Sequence, residues 1–351
     1  MSPPRKILLT PGPATTSERV KRALVISDLC PREMEFGALV SSVRAKLCRL
    51  AGAAMTHSAV LLGGSGTAAV EMVLSSVVGP ADRLLIVDNG VYGRRAEAIA
   101  RAHQLEHRVL RFRWGAYPDP GTVLAALENE PRPTHCFLVH HETSTGMLNP
   151  LPEIAGGCRE RGVTLIVDAI SSVGGRPLDL AQTPVDFLVG SANKCLQGMP
   201  GLAFVLARRD LLRAAGALAP RSVYLDLHGQ WSAQETSGQF LYTPPVQVVN
   251  ALDVALDELA AEGAEARHRR YAACHRALLA AMQRLGFQCL LPEAWHSGLV
   301  TAFLEPEDPA WSFQALHDYL RARDVTIYPG VLPEMRTFRV GNLGDLNVSD
   351  I

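Results

Sequence analysis

Three stretches of this chain place reactive residue types where a fold can make use of them. The first is Phe187-Leu-Val-Gly-Ser-Ala-Asn-Lys194-Cys-Leu-Gln-Gly-Met-Pro-Gly201, an apolar run that ends in small polar residues and one lysine. A lysine just past the end of a buried strand has an apolar wall behind it, which favours the neutral amine and its attack on a carbonyl carbon. The second is Asp168, which closes the run Thr164-Leu-Ile-Val-Asp168. The third is the turn Gly63-Gly-Ser65-Gly66-Thr67 before a helical pattern. Its glycines let the backbone approach an anion, and the free amides with the Ser65 and Thr67 hydroxyls can bond phosphate oxygens. The spacing is neither that of a Rossmann fingerprint nor that of a P-loop. An amine for a Schiff base, a carboxylate for a pyridinium nitrogen and a helix N-terminus for a phosphate are the groups that hold pyridoxal phosphate.

Other polar residues gather at the same strand ends. Tyr92 in Asn89-Gly-Val-Tyr92-Gly could stack on a pyridine ring. Thr143 or Ser144 could hydrogen-bond the cofactor's phenolic oxygen, or cap the turn that follows. His140 and His141 are adjacent, so on a strand they point to opposite faces and do not suit a shared metal; no metal site is predicted. Arg339, between Phe338 and Val340, falls by alternation into a cleft or into water, and its fork suits a planar carboxylate. Arg32 and Ser27 belong to a polar turn before a helix, where an arginine is either a surface charge or an anion contact.

These residues need a frame, and the chain supplies an alternating one. Strand-like runs at 84–88, 109–112, 135–140 and 163–168 alternate with helix-like runs at 92–103, 121–128 and 152–161. That pattern predicts an α/β fold with a mainly parallel sheet covered by helices on both faces, its ligands at the carboxyl ends of the strands. Apolar residues at Phe36, Leu39, Val40, Val43, Leu47 and Leu50 predict a helix over 35–51. Prolines around Gly12 exclude regular helix from Leu8 to Pro13, and Ser17 or Thr16 can cap a helix after it. Ala/Leu-rich helices are predicted over 246–262 and 264–285, then a small α/β layer. The expected division is a large domain of residues 15–250 and a smaller one of 251–351 together with 1–14.

Composition narrows the class. With a formal net charge of -1, no overall field recruits nucleic acid or a membrane surface. No apolar stretch reaches the roughly 18 residues of a membrane span, and the first apolar run is too short for a signal peptide. The 7 cysteines include no CxxC pair, which fits reduced thiols in a cytoplasmic enzyme.

Taken together, the motifs resemble the class V aminotransferases of fold type I, most closely their 2-aminoethylphosphonate–pyruvate branch. The resemblance runs through Gly64-Ser-Gly-Thr67, Asn89-Gly-Val-Tyr92-Gly, His141-Glu-Thr-Ser-Thr-Gly146, Ile166-Val-Asp168, Ser191-Ala-Asn-Lys194-Cys-Leu-Gln-Gly198, Tyr224-Leu-Asp-Leu-His-Gly-Gln-Trp231, Tyr242-Thr-Pro-Pro245 and Arg339-Val-Gly-Asn342. It implies a transaminase with pyridoxal 5'-phosphate on Lys194 and Asp168 at the ring nitrogen. It further implies Ser65, Gly66 and Thr67 as the phosphate cup, Tyr92 as the stacking ring and Thr143 beside the ring oxygen. Thr243 would reach the cofactor phosphate of the neighbouring subunit in a homodimer, and Arg339 would hold the substrate carboxylate, with Arg32 and Ser27 as additional phosphonate contacts. The implied substrates are 2-aminoethylphosphonate and pyruvate. Alternatives are an alanine–glyoxylate or serine–pyruvate aminotransferase, an aminophosphonate lyase, and a regulatory protein that binds the cofactor without turnover. The chain departs from the family in two places. Members with His-Ser-Glu exist where this chain has His140-His141-Glu142, and members usually continue with a further helix beyond the position of Ile351, so a truncated or disordered end is expected.

Overall fold

The structure is a computed structural model that describes residues 5–351; of the segment 1–14 assigned to the smaller domain, residues 1–4 lie outside it. In chain order the strands are β1 (Ile7–Leu9), β2 (His57–Gly63), β3 (Leu84–Asp88), β4 (His107–Arg111), β5 (His135–Val139), β6 (His141–Glu142) and β7 (Met147–Leu148). They continue with β8 (Thr164–Asp168), β9 (Phe187–Ser191), β10 (Leu202–Arg208), β11 (Val300–Leu304), β12 (Val325–Pro329) and β13 (Thr337–Gly341). The helices are α1 (Glu18–Arg22), α2 (Met34–Leu50), α3 (Gly66–Val77), α4 (Val91–Ala102), α5 (Pro120–Glu128), α6 (Leu151–Glu160), α7 (Arg209–Ala215), α8 (Leu227–Ser237), α9 (Val246–Glu262), α10 (Ala264–Arg284) and α11 (Phe313–Arg321).

Seven strands form the main sheet in the order β2-β10-β9-β8-β5-β3-β4. All run parallel except β10, which pairs antiparallel with both of its neighbours. Period-two alternation sorts the strand residues between two cores. Leu165 and Val167 of β8, with Leu138 of β5, pack toward Phe36, Val43 and Leu256 of α2 and α9. Ile166 and Phe137 pack toward Met72, Val73 and Ile99 of α3 and α4. Helices therefore cover both faces, as the αβ alternation predicts. The carboxyl ends of β2, β3, β5, β8 and β9 consequently share one edge, which is why residues from five separate loops meet.

Ser17 caps α1 by accepting from Val20 N at 3.1 Å. A second sheet, β1-β12-β13-β11, joins the N-terminal strand to the C-terminal third. Phe338 and Val340 of β13 face its core with Leu278, Phe303 and Ile327, so Arg339 between them faces the other way, toward the main sheet. The return strand β10, the short β6/β7 hairpin and the helices α7 and α8 have no counterpart in the sequence reading. β10 is an apolar run buried between β2 and β9, whereas the hairpin, two residues to a strand, is set by its pairing. Among the described residues, no helix is long and apolar enough to cross a membrane.

Candidate active site

Where the five strand ends meet there is a cavity of about 400 Å³, lined among others by Ser65, Gly66, Thr67, Tyr92, Thr143, Asp168 and Lys194. Lys194 follows β9 by three residues. Its Nζ donates to the carbonyl of Pro11 at 3.0 Å, and burial pulls its pKa down to about 8. Gly12, at φ +131°, makes this approach possible, because a Cβ there would collide with the lysine side chain. Asp168 is 7% exposed at the end of β8, where burial pushes its pKa up to about 6. One of its oxygens accepts from Ile170 N at 2.9 Å, and the positive charges of Arg95 and Lys194 work against the upward shift.

The third wall is the start of α3. Ser65 is its N-cap and accepts from Ala68 N at 3.3 Å, while the first turn's other amides face the cavity mouth. A Cβ on Gly66 would run into Ile170, so the chain between Ser65 and Thr67 sits directly against the Asp168 loop. Tyr92, at the start of α4, is held by a cap from another loop. Glu142 Oε2 accepts from Tyr92 N at 3.2 Å, and Oε1 accepts from Ser144 N at 3.1 Å and Ser144 Oγ at 2.5 Å. Thr143 Oγ1 donates to the Tyr92 hydroxyl at 3.0 Å, which joins two of the predicted ring contacts. Glu142 itself is fully buried, its pKa raised to about 7 by burial against these hydrogen bonds.

Arg339 reaches the rim from the second sheet. It is 6% exposed, donates to Pro329 O at 3.1 Å and to Thr143 O at 3.5 Å, and has no carboxylate partner among the described residues. Burial lowers its pKa, against the influence of Tyr92 and Glu142. A buried guanidinium held only by carbonyls presents its charge to whatever anion enters.

Not every predicted residue comes to this cavity. Ser27 is exposed, and Arg32 gives its donors to Phe240 O at 2.7 Å, Leu241 O at 3.1 Å and Gln239 Oε1 at 3.3 Å. The structure therefore does not place them as phosphonate contacts in their own chain's cavity, because the fork is already engaged in fastening the 239–241 segment. Thr243 is likewise exposed and outside this chain's cavity. Its neighbour Tyr242 stacks on Tyr224 at 5.5 Å, and Tyr224 donates to Gly63 O at 2.9 Å beside the cavity.

Other residues at the site were not singled out from sequence. Arg95 bonds Thr67 Oγ1 at 3.0 Å and lies 4.8 Å from the Tyr92 ring centroid. Its position three residues after Tyr92 puts both on one helix face, a signal the spacing carries. Pro11 has no such signal, since its contact with Lys194 spans 183 residues. His141, read from sequence only as unsuited to a shared metal and as a departure from the family, lines the cavity with a buried Nε2 that has no partner.

The donor set fits pyridoxal phosphate. Lys194 offers an amine that sheds its proton near neutrality, α3 offers amides and hydroxyls to a phosphate, and Asp168 offers a carboxylate whose burial calls for a positive partner such as a protonated ring nitrogen.

Comparison with known proteins shows the family of the chain. The family model described as aminotransferase class-V matches residues 17–328. A 2-aminoethylphosphonate–pyruvate transaminase of Aeromonas hydrophila is 44% identical over 97% of this chain and 90% of its own length. One of Salmonella typhimurium is 43% identical over 98% of this chain and 94% of its own length. Among solved structures, an alanine–glyoxylate aminotransferase from Nostoc sp. superposes with a TM-score of 0.91 at 25% identity, covering 98% of this chain and 92% of that one. By the family model that matches residues 17–328 and by these relatives, the chain belongs to the class V aminotransferases.

Proposed function

We propose that this protein is a pyridoxal-phosphate-dependent transaminase that moves the amino group of 2-aminoethylphosphonate to pyruvate, giving phosphonoacetaldehyde and L-alanine. The observation that carries the substrate choice is the 44% identity, over nearly the whole chain, to a relative of that name. The Nostoc alanine–glyoxylate enzyme shares the fold at 25% identity, which favours the phosphonate reading over that rival. Bound pyridoxal phosphate supplies an aldehyde for the incoming amine and an electron-withdrawing ring that stabilises the electron pair left when the substrate C–H bond breaks.

The chain's own residues do the rest. Lys194 holds the cofactor, and its freed amine then takes the proton from the substrate carbon and delivers it again, a task suited to a pKa of about 8. Asp168 would hold a proton on the ring nitrogen. Ser65, Gly66 and Thr67 would bind the phosphate, Tyr92 would cover one face of the ring, and Thr143 would stand beside the ring oxygen. Arg339 binds the acid group of either substrate, since its donors suit a tetrahedral phosphonate and a planar carboxylate alike.

We read the assembly as a homodimer with shared sites, Thr243 reaching the partner's cofactor phosphate. This is supported by the exposure of Val223, Tyr224 and Tyr242 (78%, 44% and 40%) beside the cavity mouth. Residues 15–250 form the large domain in this reading, 251–351 with the N-terminal segment the small one, and the setting is cytoplasmic. Sedimentation at working concentration tests the dimer. The reaction is tested by adding 2-aminoethylphosphonate alone and following the cofactor spectrum, which should convert to that of pyridoxamine phosphate. Conversion by alanine but not by the phosphonate would favour the rival, and binding without conversion would favour a regulator. Borohydride should fix the cofactor to the peptide Ser191–Gln197, and label on another lysine would sink the Lys194 assignment.

A further inference from the structure

Arg95 brings a positive charge to the cavity wall, and among the described residues no carboxylate pairs with it. The acids around it are taken by other groups. Asp88 accepts from Arg111 at 2.8 Å and has Arg94 at 3.9 Å, Glu97 pairs with Arg101 and Arg111, and Glu71 meets His103 Nε2 at 2.8 Å. Glu142 is engaged by the amides of Tyr92 and Ser144. Lys194 is the other cation of the lining, and in the proposed reaction it is committed to the cofactor's aldehyde.

The guanidinium is held in place. Nη1 donates to Thr67 Oγ1 at 3.0 Å, and the group lies 4.8 Å from the Tyr92 ring centroid. It therefore stands where the start of α3, with the phosphate-binding turn, meets the start of α4, with the ring expected to cover the cofactor. A hydroxyl has a single hydrogen to give and lone pairs with which to receive. Because the arginine donates, Thr67 Oγ1 is the acceptor of that bond and keeps its own hydrogen for another oxygen. Most of the N–H donors of Arg95 are likewise left over by this bond.

Charge says what the spare donors suit. A phosphate monoester carries about −1.5 to −2 near neutrality. Against it the N-terminus of a helix offers roughly +0.5, and hydroxyls offer no net charge. The turn Ser65-Gly66-Thr67 by itself leaves most of the negative charge unmatched.

We propose that Arg95 is the counter-charge of the cofactor phosphate: it binds that phosphate together with the first turn of α3, and by donating to Thr67 Oγ1 it leaves that hydroxyl's hydrogen for the same anion. The inference rests on the reading of the cavity as a pyridoxal phosphate site.

The test compares two aldehydes on the full-length apoenzyme, pyridoxal phosphate and pyridoxal, which lacks the phosphate. Binding is followed by absorbance of the aldehyde and by tryptophan fluorescence. Arg95→Gln should weaken pyridoxal phosphate by about tenfold or more, the effect of one charge-assisted contact, and leave pyridoxal unchanged. The side chain is exposed at the mouth, so the loss should be smaller than for a buried pair. Arg95→Lys keeps a charge without the fork and should recover part of the affinity. Wild-type affinity for pyridoxal phosphate in the Gln variant overturns the proposal. So does an equal loss with both aldehydes, which would make Arg95 a support for Tyr92 or for the fold. A Lys variant no better than the Gln variant counts against the charge. Intact cofactor affinity, with a loss confined to the 2-aminoethylphosphonate half-reaction, would also overturn it and assign the arginine to the substrate. Borohydride reduction of the wild-type enzyme loaded with pyridoxal phosphate keeps the two readings apart: no label on Lys194 defeats the cofactor reading, whereas label on Lys194 with unchanged affinity in Arg95→Gln defeats only the role of Arg95.

Discussion

Lys194 and Cys195 lie between two buried polar regions that treat charge in opposite ways. On the cavity side, Lys194 and Arg339 are held only by carbonyls, and burial raises the pKa values of Asp168 and Glu142 to about 6 and about 7. On the far side, Arg267 is 2% exposed, yet it donates to Glu262 at 2.7 Å and to Cys195 O at 3.2 Å. Arg270 shares the same carboxylate at 2.8 Å and also bonds Gly344 O and Leu346 O. Burial would raise the Glu262 pKa, but the hydrogen bonds from Arg270 and Arg267 outweigh it and leave the pKa lowered. Isolated buried charges are costly, so a cluster that completes its own pairs serves the fold, and one that leaves them open serves a ligand. The rear cluster holds the backbone at Cys195 in place. The front is where the proposed chemistry would take place.

The most damaging way to probe this contrast is at the rear. Glu262→Gln leaves Arg267 buried without its counter-charge and should lower stability by about 3 kcal/mol in urea titrations, with the remaining folded enzyme turning over normally. Because the folded pKa of Glu262 is depressed, its contribution is present above the ordinary carboxylate pKa of about 4.3 and is lost as the pH falls through the lower folded value. The variant should lack that component of acid destabilisation. Lost turnover at unchanged stability would break the division between the two regions.

At the front, Asp168→Asn keeps the shape and removes the charge. Turnover should fall on the order of 100-fold or more while the cofactor still binds; near-normal turnover would contradict the ring-nitrogen role. Arg339→Ala should reduce efficiency by about 30-fold with both 2-aminoethylphosphonate and pyruvate, measured as separate half-reactions, through loss of one charge-assisted contact in a desolvated site. An intact pyruvate half-reaction would remove Arg339 from the shared acid-binding role. The smallest effect is expected from Arg32→Ala, whose carbonyl bonds lie near the surface: about 1 kcal/mol of stability, with neither half-reaction singled out. A selective loss with the phosphonate would return Arg32 to the substrate site.

Much of this arrangement was legible before any coordinates. Apolar runs of strand length, helical spacing between them and a glycine turn before a helix are local patterns, so the parallel sheet and the placing of Lys194, Asp168 and Ser65 to Thr67 at strand ends followed from them. The bounds of α9 coincide with the run 246–262 expected from its composition. Arg339 was legible for the same reason, since Phe338 and Val340 on either side commit its side chain to the opposite face of β13.

Local pattern is silent about which distant groups answer a side chain. Arg32 and Arg339 are both arginines near a turn or strand, but Arg32 meets carbonyls 208 and 209 residues away, whereas Arg339 comes to rest beside Thr143, 196 residues away, with its charge unanswered. The orphaned lone pair of His141 is of the same kind, because it exists only once Ser171 has claimed the other nitrogen. The residue sequence decided fold class, strand ends and the reactive types placed there, since those depend on neighbours a few positions away. Packing decided which of those groups keep an open valence toward the cavity, because satisfaction of a buried charge or lone pair depends on contacts between segments that the chain brings together only when it folds.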